Sequence, residues 1–411
     1  MRLGSPWLAR FWAGGIRRLL DRIDAGLTRG SIMATLPDGA IRLLGGRAPG
    51  FDAIVNLRDP RALLRLATGG SVGWYQAWEA GEWSSPDPVP LFALFMDNAP
   101  TLGGTARASG PWRAAARVLH RLHRNSRKGA QRNIHAHYDL GNDFYAPWLG
   151  DTMFYSSAMF ERSAGVPSPI SQFVSELDAG QSNKLAAIDE RLALKPGERV
   201  LEIGCGWGTL AAFLAERRGA RVDAISLSDE QLDYARARWS AQSGVDFRKQ
   251  DYRDITGAYD AIVSIEMVEA VGREYWGEFL DCIVRNLRPG GRAVLQYISL
   301  RSDVFERYAK SADFIQAYVF PGGMLINELE FRNLVEARGL LWQDGEAFGQ
   351  DYARTLALWR ERFDEAVEQG RLPQGFDERF VRLWRYYLMY CEGGFLGRGI
   401  DVAQVTLVKP G

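Results

Sequence analysis

Apolar residues at Leu8, Trp12, Ile16, Leu19, Ile23 and Leu27 recur every three or four positions. Arg10, Arg17, Arg18, Asp21 and Asp24 fall mostly between them. That spacing is one stripe of an amphipathic helix and predicts a helix over 7–27. Two settings suit it: packing on its own domain, or lying on a membrane surface. Residues 31–96 alternate short apolar runs with glycine-rich breaks and read as a small mixed domain, which ends in the tryptophan-rich VGWYQAWEAGEW (72–83). From Asn98 to Pro111 the chain turns to Gly, Ala, Thr, Ser and Pro, the composition of a linker. Next comes a helical stretch with Arg113, Arg117, Arg121 and Arg124 on one face and Val118, Leu119 and Leu122 on the other. Solvent suits such a basic stripe, and so do anionic lipid headgroups, where each basic residue is worth about 1 kcal/mol.

From about residue 199 the pattern changes to strands alternating with helices. RVLEIG (199–204), RVDAISL (221–227), YDAIVSIEM (259–267) and GRAVLQYIS (291–299) predict strands, with helices near 208–218, 228–242 and 273–287 between them. This alternation predicts a parallel α/β sheet. LRPGGRAVL sets a Pro-Gly-Gly turn between helix and strand, and DVAQVTLVKP (401–410) alternates as a closing edge strand would. The domains expected are 1–98, a linker with the basic helix over 99–127, and 128–411.

The length of 411 residues suits two domains, and 46% hydrophobic with 24% charged residues is the balance of a globular protein with a real core. That excludes disordered, collagen-like and disulfide-scaffold classes. Fifty basic residues balance fifty acidic ones, which argues against a nucleic-acid partner held by a global positive field. Cys205, Cys282 and Cys391 form neither a disulfide framework nor a zinc pattern, and point to a reducing compartment. No run approaches the roughly 18–20 apolar residues of a membrane span. Charges interrupt the apolar N-terminus, so no signal peptide is expected. The four histidines, His120, His123, His135 and His137, fall within eighteen residues; the first pair lacks acidic or cysteine partners, and no metal is expected.

The first chemical signal is VLEIGCGWG (200–208), a strand running into three glycines and then a helix. Gly204, Gly206 and Gly208 permit a tight turn and close approach of backbone to a ligand. A dinucleotide is one candidate. S-adenosylmethionine is favoured because Glu202 ends the strand where the donor's ammonium can pair with a carboxylate. A ligand-facing turn after the second strand (ISLSDEQ) and an acid–aromatic pair after the third (QDYRD) follow the same rhythm.

In these segments and several others the chain resembles the cyclopropane fatty acid synthase family, which includes the mycolic acid methyltransferases. The carrying segments are HAHYDLGNDFY (135–145), TMFYSSAMF (152–160), VLEIGCGWGTLA (200–211), ISLSDEQ (225–231), QDYRDI (250–255), FPGG (320–323), FGQDYARTL (348–356) and RYYLMYCEGGF (385–395), in the family's order. The resemblance implies a Rossmann-like S-adenosylmethionine-dependent methyltransferase fold with a smaller N-terminal domain. It implies as acceptor the unsaturated acyl chain of a phospholipid at the membrane surface. Donor contacts carried over by position are Tyr155, Ser156, Glu202, Gly204, Cys205, Gly206, Gly208, Ser226, Leu227, Gln231, Asp251 and Tyr252. Ser226 and Gln231 suit ribose hydroxyls. Leu227 and Tyr252 suit the two faces of adenine, or simple core packing.

The family's chemistry methylates an isolated alkene, which becomes a carbocation and then loses a proton as a ring closes. Water must be excluded, and aromatic faces stabilise the charge. Tyr318, Phe320, Phe348, Tyr352, Trp359, Tyr386 and Tyr387 supply aromatic candidates for an acyl channel. The resemblance implies a bicarbonate ion as base, held by Ser157, Glu269, Gln296, the backbone of Ile298, and Tyr352. Ser157 stands where cysteine is common, Gln296 where histidine is common, and Ala270 where histidine follows the glutamate. Glutamine hydrogen-bonds an anion but does not carry a proton as histidine does. The expected product is a cyclopropane chain, with a methyl or methylene branch as the alternative, and a non-catalytic lipid-binding paralogue as a third reading. Glu269 has a second role open to it, capping a helix. Cys391 has three: catalytic, site-lining, or a buried free cysteine. The expected location is cytoplasmic, peripheral on the inner face of the membrane, with a homodimer among the candidate assemblies.

Overall fold

The computed structural model describes residues 6–103, 140–160, 175–310 and 312–411, with side chains of the first helix from residue 14 onward. The basic stripe at 113–124, the four histidines and most of the linker lie outside the described residues. Two compact units emerge. In the described chain, unit 1 holds the residues up to 103 with Asp303–Val319 and Phe376–Gly399, and unit 2 holds the rest.

Unit 1 carries the helix Pro6–Gly26 and a four-stranded sheet of order β2-β1-β3-β4, with β1 Ser31–Thr35, β2 Ile41–Gly45, β3 Asp52–Leu57 and β4 Trp83–Ser84. Alternation along these strands buries Ile32, Ala34, Leu44 and Val55 on one face. On the other face Met33 lies beside Leu43 and Ile54 in register, and all three are exposed (44%, 64% and 42%). The helix Arg61–Glu79 breaks at Gly70 (φ +58°), and Trp74 beyond the break stacks on Trp83 with centroids 4.3 Å apart. Next to it, the Tyr75 ring meets Phe314 at 4.9 Å, Tyr318 at 4.6 Å and Tyr386 at 5.1 Å. This aromatic cluster explains why unit 1 is discontinuous. It draws in two segments that the sequence reading leaves within 128–411.

Unit 2 is built on a seven-stranded sheet of order β10-β11-β9-β8-β5-β6-β7. The strands are β5 Arg199–Ile203, β6 Arg221–Ser226, β7 Val245–Lys249, β8 Tyr259–Ile265, β9 Leu287–Leu300, β10 Leu341–Ala347 and β11 Ile400–Val408. β9, β8, β5, β6 and β7 run parallel, and β11 is antiparallel to both its neighbours. Helices Thr209–Arg218, Asp229–Arg238 and Trp276–Asn286 connect the parallel strands. Leu185, Ile188, Leu210 and Leu214 pack with Val200, Val222 and Val263 in one core. This is the doubly covered parallel sheet whose inner strands read as apolar runs.

Three details differ from the sequence reading. β11 lies inside the sheet and β10 forms the edge, and the polar Gln404 and Thr406 of the alternating segment are therefore fully buried. The Pro-Gly-Gly segment is a bulge within β9, where pairing with β8 shifts between Tyr259 and Ala261. The edge strands β7 and β10 carry few buried residues and hence no periodic signal. Among the described residues no helix is long and apolar enough to cross a membrane.

Candidate active site

Ligands of parallel α/β sheets bind at the carboxyl ends of the strands. β5 ends at Ile203, and the chain enters the next helix through the glycine turn. Gly206 has φ +51°, and a Cβ built there meets no protein atom within 4 Å, so the turn opens onto free space. Gly208 differs: its Cβ would lie 2.6 Å from the Phe247 ring. Gly208 therefore lets the helix pack on β7 and does not line the cavity. Every other donor-binding residue expected from the sequence lines one cavity within unit 2.

Glu202 is 4% exposed, and its Oε2 finds no partner among the described residues. Burial pushes its carboxyl up to about 8, relieved only by a hydrogen bond from the Ala211 backbone N–H. A buried carboxyl with a missing partner suits a cationic group from a ligand. Ser226 Oγ donates to Gln231 Oε1 at 3.2 Å, which joins two of the predicted hydroxyl ligands at the end of β6. Leu227 lines the same wall, and Tyr252 packs edge-on against Phe279 with centroids 5.6 Å apart. Asp251 also lines the cavity, but its carboxylate is gripped by Arg253 through Nε at 2.8 Å and a terminal nitrogen at 2.6 Å. Cys205 is buried, and burial raises its thiol pKa well above the ordinary value, so it contributes backbone shape and not a thiolate. An open cradle beside a buried carboxyl with one oxygen left without a partner among the described residues fits S-adenosylmethionine.

The residues expected to hold bicarbonate converge on a carboxylate that the sequence reading missed. Glu266 Oε1 accepts from the Ser157 backbone N–H at 3.0 Å and from Gln296 Nε2 at 2.7 Å. Glu266 Oε2 accepts from the Tyr352 hydroxyl at 2.6 Å. The Ser157 hydroxyl turns away and donates to the Ala158 carbonyl at 2.9 Å. Gln296 is itself oriented by Gln404, whose Nε2 donates to its Oε1 at 3.0 Å. Three of the five anion ligands are thus engaged by Glu266 and a fourth, the Ile298 N–H, by Glu269, and the site does not fit an additional free bicarbonate. Glu266 sits just past the end of β8 with φ +50°, a left-handed conformation that costs a side-chain-bearing residue roughly 1–3 kcal/mol. Such strain persists where surrounding contacts hold it.

Lys184 is the second residue missed. It is fully buried, donates from Nζ to Ser156 Oγ at 2.7 Å, and lies 3.8 Å from the centroid of the Phe154 ring. Burial pushes its ammonium down to about 7, while the Glu266 charge pulls it up. Burial likewise raises Glu266, against the opposing pull of Tyr352, Ser157, Gln296 and Lys184. The one available sequence signal is that Glu266 stands at a strand end three residues before Glu269. Nothing in the sequence marks Lys184.

Glu269 lies in the short turn Val268–Ala270 and accepts the Ile298 backbone N–H through Oε1, so it ties that turn to β9 and does not cap a helix. Its buried Oε2 finds no partner among the described residues. Burial, then the charge of Glu266, pushes its carboxyl up to about 8. Around the pair, the Tyr155 ring meets Trp359 at 5.4 Å and Phe320 at 6.3 Å, and Tyr352 meets Trp359 edge-on at 6.1 Å. Tyr318, Tyr386 and Tyr387, candidates for the acyl channel, belong to unit 1. Cys391 also belongs to unit 1, on the helix Glu378–Leu396, and is absent from the cavity lining. Burial raises its thiol strongly, which removes the thiolate character a reactive cysteine needs.

The chain is similar to known proteins. The profile of the family described as mycolic acid cyclopropane synthetase matches residues 125–405. The tuberculostearic acid methyltransferase of Mycobacterium tuberculosis is 36% identical over 372 residues, 86% of this chain and 83% of that one. The cyclopropane-fatty-acyl-phospholipid synthase of Escherichia coli K12 is 32% identical over 367 residues, 89% of this chain and 90% of that one. Among solved structures, the mycolic acid cyclopropane synthase CmaA1, complexed with SAH and CTAB, superposes with a TM-score of 0.61 at 27% identity. That match covers 68% of this chain and 98% of the other.

Glu202 and Glu269 carry a pH signature. Both are raised from the usual 4.5 to about 8. Between those limits the folded state keeps protons that the unfolded chain has lost, so stability falls as pH rises. The thermal midpoint of the ligand-free protein is expected to decline from pH 5 to 8, and the double substitution Glu202→Gln with Glu269→Gln is expected to flatten that decline. An unchanged slope in the double variant would show that both carboxyls are already ionised in the folded state.

Proposed function

The chain belongs to the mycolic acid cyclopropane synthetase family, and from that premise we propose that it methylates the double bond of an unsaturated acyl chain carried by a phospholipid, with S-adenosylmethionine as donor. The observation that carries this reading is the meeting, in one cavity, of the open glycine turn and Glu202 with the enclosed Glu266. When bound, S-adenosylmethionine supplies an electrophilic methyl group on a positively charged sulfur. Gly206 leaves room for it, and Glu202 pairs with its ammonium. Ser226 and Gln231 hydrogen-bond ribose hydroxyls, and Leu227 and Tyr252 flank the adenine.

An alkene has no acidic proton to lose before it reacts, so proton removal follows methyl transfer. The alkene's π pair forms the new bond to the methyl carbon, and positive charge remains on the acyl chain. The Tyr155 ring, which lines the cavity and packs against Phe320 and Trp359, offers an aromatic face to that charge. A proton then leaves the transferred methyl group. If its electron pair joins the adjacent cationic carbon, a cyclopropane results. If a hydride shifts first, the pair forms a methylene branch. Neither outcome needs a reductant, whereas a saturated methyl branch does.

Within this reaction the branched product has the stronger support. Gln296 replaces a residue type that shuttles protons, and a relative named for tuberculostearic acid is matched at 36% identity over most of its length. The E. coli relative, at 32%, supports ring closure. A lipid-binding protein without activity is disfavoured, since such a role needs neither the open cradle nor a strained, buried carboxylate. Membrane-surface access is supported by the apolar row of Met33, Leu43 and Ile54, a type of patch that marks interaction sites.

Product analysis tests the reaction. With monounsaturated phospholipid vesicles and S-adenosylmethionine, the acyl chain is expected to gain the mass of one CH2 and then to take up hydrogen under mild catalytic hydrogenation, as a methylene does and a ring does not. No gain in mass would remove the reading. Membrane access has its own test: replacing Met33, Leu43 and Ile54 together with serine is expected to weaken vesicle binding while leaving donor binding intact. Unchanged vesicle binding would release that face from the role.

A further inference from the structure

Alkene methylation, the reading proposed above on which this inference rests, requires a proton acceptor beside the acyl chain. We propose that Glu266 is the acceptor: its carboxylate takes, from within the chain, the place that the resemblance gives to a bicarbonate ion, and Lys184 is the buried positioning cation that holds it.

Three observations carry this. Three of the donors expected to grip a free anion grip Glu266 instead, with Gln296 and the Ser157 backbone on one oxygen and Tyr352 on the other. Glu266 lines the same cavity as the glycine turn, whereas Glu269 does not. Its backbone lies in the left-handed region that favours glycine, so the side chain is present there against a local conformational preference. Lys184 is fully buried and donates to Ser156 Oγ, one residue before the Ser157 N–H that grips Glu266, and its charge acts on Glu266 through space without a direct hydrogen bond among the described contacts. Glu269 has no such cation, and burial together with the neighbouring Glu266 charge holds it protonated near neutral pH. The two carboxyls are thereby set apart by their surroundings: Glu266 is gripped by three donors, and Glu269 by the Ile298 backbone alone.

The step balances without a further reactant. A C–H bond of the transferred methyl group breaks, and its proton passes to a Glu266 carboxylate oxygen. The electron pair of that bond forms the new C–C bond of a ring or the C=C bond of a methylene branch. The cation on the acyl chain and the charge on Glu266 disappear together.

Glu266→Gly tests the assignment without endangering the fold, because glycine suits φ +50°. Removing the side chain also vacates the space its donors surround. Positioned proton transfer contributes about 10²–10⁴-fold. In carbon-dioxide-free buffer the variant is therefore expected to lose product formation on that scale, with S-adenosylhomocysteine affinity by calorimetry close to wild type. Added bicarbonate or formate is expected to restore part of the rate, a rescue that a merely structural role would not show. Full activity of Glu266→Gly without added anion would overturn the assignment. So would a folded, donor-binding variant that neither small anion rescues. A wild-type protein that alkylates no chain in these vesicles would instead overturn the functional reading.

Discussion

Keeping water away from carboxyl groups is the constraint on which the site depends. Glu202 on β5 and Glu266 just past β8 lie on neighbouring strands, and Glu269 follows within one turn. An ionised carboxylate in such surroundings is costly unless charges and hydrogen bonds compensate it. Each of the three is compensated differently. Glu202 has one backbone donor and an open oxygen in the donor cavity. Glu266 has three donors and a buried lysine. Glu269 has the Ile298 backbone and otherwise stays protonated. One architecture thus yields three buried carboxyls with different partners and different use.

The sheet order makes this arrangement. β9 lies beside β8, which places Gln296 in register with Ile265, directly before Glu266. β11 lies on the other side of β9 and pairs Gln404 with Gln296. The amide of Gln404 then fixes the Gln296 amide so that its NH2 faces Glu266. A strand near the end of the sequence therefore orients a site whose carboxylate, Glu266, stands 138 residues before Gln404. The same placement accounts for the fully buried polar Gln404 and Thr406, which alternation alone assigns to solvent.

Much of this was legible in the sequence, and the limits have physical reasons. The inner strands β5, β6 and β8 are apolar runs bounded by turns, and their ends carry the residues that line the cavity. β7 and β10 escaped because an edge strand exposed along much of its length has no hydrophobic period. The discontinuity of unit 1 escaped because it arises from ring contacts of Tyr75 with Phe314 and Tyr386, both more than 200 residues away in the chain. At the site, resemblance named the anion's ligands but not the anion's replacement. Glu266 stood inside a segment read as a strand, and only its backbone conformation and the convergence of donors from β9 and the helix Gly349–Glu368 set it apart. Lys184 is a helical lysine whose meaning lies wholly in its burial.

A chain that carries its own anion has no need of one from solution. The turnover of the unaltered protein on monounsaturated phospholipid vesicles, in buffer purged of carbon dioxide and in the same buffer supplemented with bicarbonate, measures that need. Equal rates in both are expected if Glu266 takes the proton. A rate that collapses on purging and returns with bicarbonate would contradict that role.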